Sequence, residues 1–132
     1  MSHTIEVCFK IDSTLEEVRV NMERVLGVQL PDYEAGSDHV RSYYGSLLTI
    51  DLELSVNYLE TDRELNFSDF QYVLGTRVGA QACSNRLREL QLPLADVIGV
   101  LLCQHLGTEV MITIDAQKLH ARYYPEKLGP KV

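Results

Sequence analysis

The stretch "LTIDLELSVNY", residues 48–58, decides the fold class. Leu48, Ile50, Leu52, Leu54, Val56 and Tyr58 share one parity, and Thr49, Asp51, Glu53, Ser55 and Asn57 share the other. Successive strand side chains point to opposite faces, so this run predicts a long strand with an apolar inner face and a wet outer one. "IEVCFKI", residues 5–11, alternates in the same way. "FQYVLGTRV", residues 70–78, reads as a further strand, with Gly75 placed to form a bulge. "EVMITID" and "KLHARYY" read as a hairpin about "DAQK". One more strand is expected over residues 39–45.

Two segments carry helical spacing instead. In "DSTLEEVRVNMERVLG", residues 12–27, Leu15, Val18, Met22 and Val25 recur at helical intervals. Ser13 with Glu16 reads as a capping box, and Gly27 stands where the helix should stop. In "PLADVIGVLLCQHLG", residues 93–107, Pro93 suits a first turn. Leu94, Val97, Ile98, Leu101, Leu102 and His105 form the expected buried stripe, and Gly107 ends it. "GAQACSNRLREL" before it is ambiguous, and "VQLPDYEAGSDH", residues 28–39, reads as a loop. The order β-α-β-β-β-α-β-β predicts an α+β fold: a mostly antiparallel sheet with two main helices packed on one face. At 132 residues the chain suits a single α+β domain over 1–132, with 125–132 expected as a loose tail.

Composition narrows the function classes. No apolar run reaches the ~18 residues that span a membrane. "MSHTIEVCFK" has neither the basic nor the apolar region of a secretory signal. A cytoplasmic location is therefore expected. Cys8, Cys83 and Cys103 lie far apart, with no zinc-ligand spacing, and read as reduced thiols. No phosphate-binding loop, dinucleotide fingerprint, nucleophile elbow or zinc-protease helix occurs, so no cofactor and no metal is expected.

The net charge of −7 is unevenly spread. Residues 32–69 hold nine acids: Asp32, Glu34, Asp38, Asp51, Glu53, Glu60, Asp62, Glu64 and Asp69. They hold two bases, Arg41 and Arg63, so this one stretch carries an imbalance equal to that of the whole chain. Such a field repels nucleic acid, membranes and phosphates and attracts cationic partners. A merely solvated face explains it equally well.

One pattern repeats. "HVRSYYGS", residues 39–46, and "HARYYPEK", residues 120–127, each hold a His, an Arg two places on and a Tyr pair. On strands, His39, Arg41 and Tyr43 would share a face, as would His120, Arg122 and Tyr124. If Gly45 introduces no bulge, both triplets point away from the core. Two His as acid and base with two Arg on a phosphate would make a small two-histidine phosphodiesterase. The two-histidine phosphoesterases carry Ser or Thr where both copies here carry Arg, and the acidic field opposes a polyanion. Tyr and Arg are also interface residues, which favours a protein contact patch including Arg41, Tyr43 and Tyr44. A module that self-associates through a sheet edge, as a homodimer for example, is the third reading.

In layout and charge the whole chain, including "FSDFQYVLGTRV" and "LGTEVMITIDAQKLHARY", resembles the small acidic immunity proteins of bacterial toxin–immunity systems, the contact-dependent inhibition type among them. The resemblance implies a non-enzymatic inhibitor that binds one cognate toxin domain, a basic nuclease for instance, and blocks its active site. The acids named above would then steer the partner, and Tyr43, Tyr44 and Arg41 would anchor it.

Overall fold

The computed structural model describes residues 4–33, 42–57, 59, 65–78 and 85–128. Among them, seven strands form one sheet: β1 Thr4–Phe9, β2 Asp32–Tyr33, β3 Ser42–Leu47, β4 Ile50–Val56, β5 Tyr72–Val78, β6 Val110–Ile114 and β7 Lys118–Tyr123. Two helices join them, α1 Leu15–Leu26 and α2 Asn85–Leu106. The strand order is β2-β3-β4-β5-β1-β6-β7, and every neighbouring pair is antiparallel. The α+β architecture expected from the alternation is the one observed. No described helix is long and apolar enough to cross a membrane.

α1 begins one residue later than its sequence suggests. Thr14, not Ser13, is the cap: its Oγ1 accepts from the Glu17 N–H, and Glu17 Oε1 accepts from the Thr14 N–H, both at 3.2 Å. The Ser13 N–H instead turns back to the Ile11 carbonyl. α2 departs further. It starts at Asn85, eight residues before Pro93, and runs through the proline. A proline inside a helix costs about 3 kcal/mol. Burial of Ala95, Ile98 and Leu102 against the sheet offsets that, and the buried Gln91 donates to the Thr76 carbonyl at 2.9 Å. The buried stripe is rotated by about one residue from the expected one, so Val97 is 54% exposed and His105 faces out.

The helix-side core gathers Ile5, Val7 and Phe9 of β1, Leu52 and Leu54 of β4, Leu74 of β5, Val110 and Ile112 of β6, and Val18 and Met22 of α1. At the start of the expected tail Pro125–Lys127 forms a 3₁₀ turn and Leu128 packs against this core, while residues 129–132 lie outside the described residues. The opposite face of the sheet is only half wet. Leu65, Phe67 and Phe70 fold over Cys8 and Met111 there as a second, smaller core.

The largest departure concerns parity. The 48–58 run is not one strand from Leu48. Leu48 and Thr49 are the two central residues of a hairpin, with φ of 52° and 65°, and Leu47 pairs with Ile50. A two-residue turn sets odd residues of one strand opposite even residues of the next. Tyr43 therefore faces Leu54 in the core, 1% exposed, with the Arg19 guanidinium 4.8 Å from its ring centroid. It is a core residue and not a surface anchor. Tyr44 lies on the outer face in its place, opposite Glu53.

Candidate functional site

The second core reaches β5 only at Val73, and no residue of β3 or β4 belongs to it. Three residues form a row across these three strands. Tyr44 of β3 pairs with Glu53 of β4, and Glu53 with Gly75 of β5. Asp51 stands two residues from Glu53 on the same face, about 7 Å along the strand, and opposite Arg77 of β5. Because Gly75 carries no side chain, the sheet dips there. The result is a hollow of about 250 Å³ bordered by Thr4, Tyr44, Asp51, Glu53, Gly75 and Arg77. Asp51 and Arg77 are exposed, and Tyr44 and Glu53 half-buried. Among the described residues, neither carboxylate forms an ion pair, with Arg77 or any other base.

Apart from Tyr43, which is in the core, the sequence-predicted residues separate into three sets. Tyr44, Asp51 and Glu53 come together here. Asp32 lies on the short edge strand, where its backbone pairs with Tyr43, and Asp69 is exposed on the 3₁₀ turn Phe67–Asp69, accepting from Asn66 at 2.7 Å. Glu34, Asp38, Arg41, Glu60, Asp62 and Glu64, with His39 and Cys83, lie outside the described residues. Sequence reasoning passed over Gly75, Arg77 and Thr4. The register of β5 is unbroken at Gly75, so the expected bulge is absent. A mid-strand glycine flanked by alternating apolar residues was the available signal.

Glu6 continues the same row on the far side of Gly75. It is a buried carboxyl, 6% exposed, accepting from Thr113 Oγ1 at 2.8 Å and the Ala116 N–H at 2.7 Å. Burial raises its pKa above the usual carboxylate value, and the two hydrogen bonds oppose this. It fixes the β6–β7 turn, where Asp115 and Ala116 both have positive φ. Cys8, next but one to it, is pushed up to about 12 by burial, with the Glu6 charge adding to the effect. It is an inert core thiol.

The second copy of the repeated His/Arg/Tyr pattern does not form one face. A bulge lies in β7 near His120, where Ile112 pairs with Ala121 but Thr113 with Leu119. His120 turns to the helix side, its Nε2 3.0 Å from Asp96 Oδ2 of α2. Tyr123 joins it there, donating to Asp96 Oδ1 at 2.7 Å. Burial, then the Asp96 hydrogen bond, pushes the Tyr123 hydroxyl up to about 12. Arg122 points to the other face, where Nη2 donates to Asn66 at 2.6 Å and Nη1 lies 3.5 Å from Glu109. The His and Arg of this copy thus lie on opposite sides of the sheet. No three metal-ligating side chains converge among the described residues.

No family model, no curated protein and no solved structure matches the chain.

Proposed function

We propose that this chain is a non-enzymatic, protein-binding inhibitor of the immunity type, which takes a cognate basic domain on the outer face of β3, β4 and β5. The observation that carries the reading is the meeting of Tyr44, Asp51 and Glu53 on one outer face. An aromatic ring beside two carboxylates that form no ion pair among the described residues suits a cationic protein surface. The net charge of −7 steers such a partner into encounter at long range. A toxin domain, a nuclease above all, is the partner class that the family resemblance implies.

The experiment is co-purification with the product of the neighbouring gene, its active site inactivated, followed by titration at rising salt. The reading expects a stable complex whose association slows with salt, and loss of both binding and protection in Asp51→Lys/Glu53→Lys. Absence of a complex, or full binding and protection by the double reversal, would sink it.

A further inference from the structure

Gly75 stands in the middle of β5, between β1 and β4 in the interior of the sheet. A glycine there weakens the strand, because it gives up a packing side chain and loses more entropy on folding. Three structural reasons usually keep one in place, and none applies. The register with both neighbours is regular, so there is no bulge. Gly75 is not among the residues at positive φ. A Cβ built on it would meet only the Glu53 carbonyl oxygen, at 3.9 Å, an ordinary contact, so no other part of the described chain needs the space. What remains is close approach by a group from outside the described residues.

The surroundings define that group. Tyr44 walls the hollow on one side, and Asp51 and Glu53 present carboxylates along its rim. Arg77 supplies a positive charge opposite Asp51, which leaves the end nearer Glu53 and Tyr44 the more negative. We propose that the hollow above Gly75 seats one arginine side chain of the basic partner, its stem lying over Gly75 and its guanidinium between the Tyr44 ring and the Glu53 and Asp51 carboxylates. A planar guanidinium offers donors to two carboxylates at once and stacks on an aromatic face, whereas a lysine ammonium is a compact point charge. The inference rests on the protein-binding reading above and names its anchor.

The test uses blocked arginine, N-acetyl-arginine-N-methylamide, titrated into the full chain and followed by amide NMR shifts. Blocked lysine and blocked citrulline, the neutral isostere of arginine, are the controls. Saturable shifts centred on Tyr44, Glu53 and Gly75 are expected with arginine, smaller ones with lysine and none with citrulline. Glu53→Gln keeps the shape and should weaken arginine binding about tenfold. Gly75→Val fills the hollow and should abolish binding while Tm holds or rises, since a β-branched residue suits a strand. Equal shifts with citrulline, shifts elsewhere, or unchanged binding by Gly75→Val would overturn the assignment. The two readings fail separately. A basic domain that binds wild type and Gly75→Val alike, but not Asp51→Lys/Glu53→Lys, removes the arginine seat and leaves the acidic surface standing. Binding of blocked arginine with no complex of the basic domain does the reverse.

Discussion

The Tyr123 hydroxyl donates to Asp96 at 2.7 Å, tying the edge strand β7 to α2. His120 approaches the same carboxylate. Asp96→Ala leaves both groups without this acceptor in a half-buried site, a loss of about 1–3 kcal/mol. Chemical denaturation should show it as a lower midpoint with an unchanged slope. The alkaline limb carries a second signature. Tyr123 keeps its proton in the fold up to about 12, while in the unfolded chain a tyrosine releases it near ~10. Between those values the folded state binds more protons, so stability falls as pH rises. Tyr123→Phe should flatten that limb.

Glu6 invites a pair of substitutions that separate its hydrogen bonds from its charge. Glu6→Ala strands the Ala116 N–H and the Thr113 hydroxyl and should cost about 1–3 kcal/mol. Glu6→Gln keeps an oxygen for both donors and removes a carboxylate that burial disfavours. Its pKa is raised, so the folded protein favours the protonated acid. The cost of ionising it appears as pH rises through the ordinary carboxylate range and upward. Glu6→Gln should therefore look better relative to wild type at neutral pH than in acid, a difference readable from melting curves at the two pH values.

The sheet, the two helices and their side of the sheet follow from periodicity, because a period of two or 3.6 survives even when end points shift. Parity across a hairpin is more fragile. Leu48 continues the alternation of Ile50 and Leu52 on paper, and neither Leu48 nor Thr49 is a usual turn residue. The backbone reverses there all the same, which exchanged the roles of Tyr43 and Tyr44. Asp51 and Glu53 were legible as a wet strand face, and Tyr44 as a contact residue. Gly75 and Arg77 were not, because which strands neighbour one another depends on long-range pairing that one sequence does not display. The Asp96–Tyr123 bond was hidden for the same reason, and the bulge beside His120 has no glycine to mark it.

Gly45 behaves oppositely to Gly75. A Cβ there would fall 2.4 Å from the Gln29 carbonyl oxygen, a backbone atom that cannot swing aside. The segment before β2 crosses β3 at this point, and the Tyr44 N–H donates to the Pro31 carbonyl at 3.1 Å. Gly45→Ala should destabilise by about 1–3 kcal/mol through this overpacking. Gly75→Ala should be neutral or stabilising. Thermal melts of the two variants side by side check the contrast; equal losses would contradict it.

The turn at Leu48 and Thr49 is the last place where backbone and sequence disagree. Both residues sit at positive φ, and Thr49 is β-branched, a genuine outlier there. Leu48 is also 60% exposed, so its side chain gains little from its position. Two-residue hairpins with positive φ at both central positions favour Asn followed by Gly, whose backbones accept that region at low cost. Leu48→Asn/Thr49→Gly should therefore raise stability by about 1 kcal/mol. The gain should appear as a higher Tm with the β3–β4 amide shifts preserved. A lower Tm would mean that Leu48 makes contacts worth more than the strain it carries.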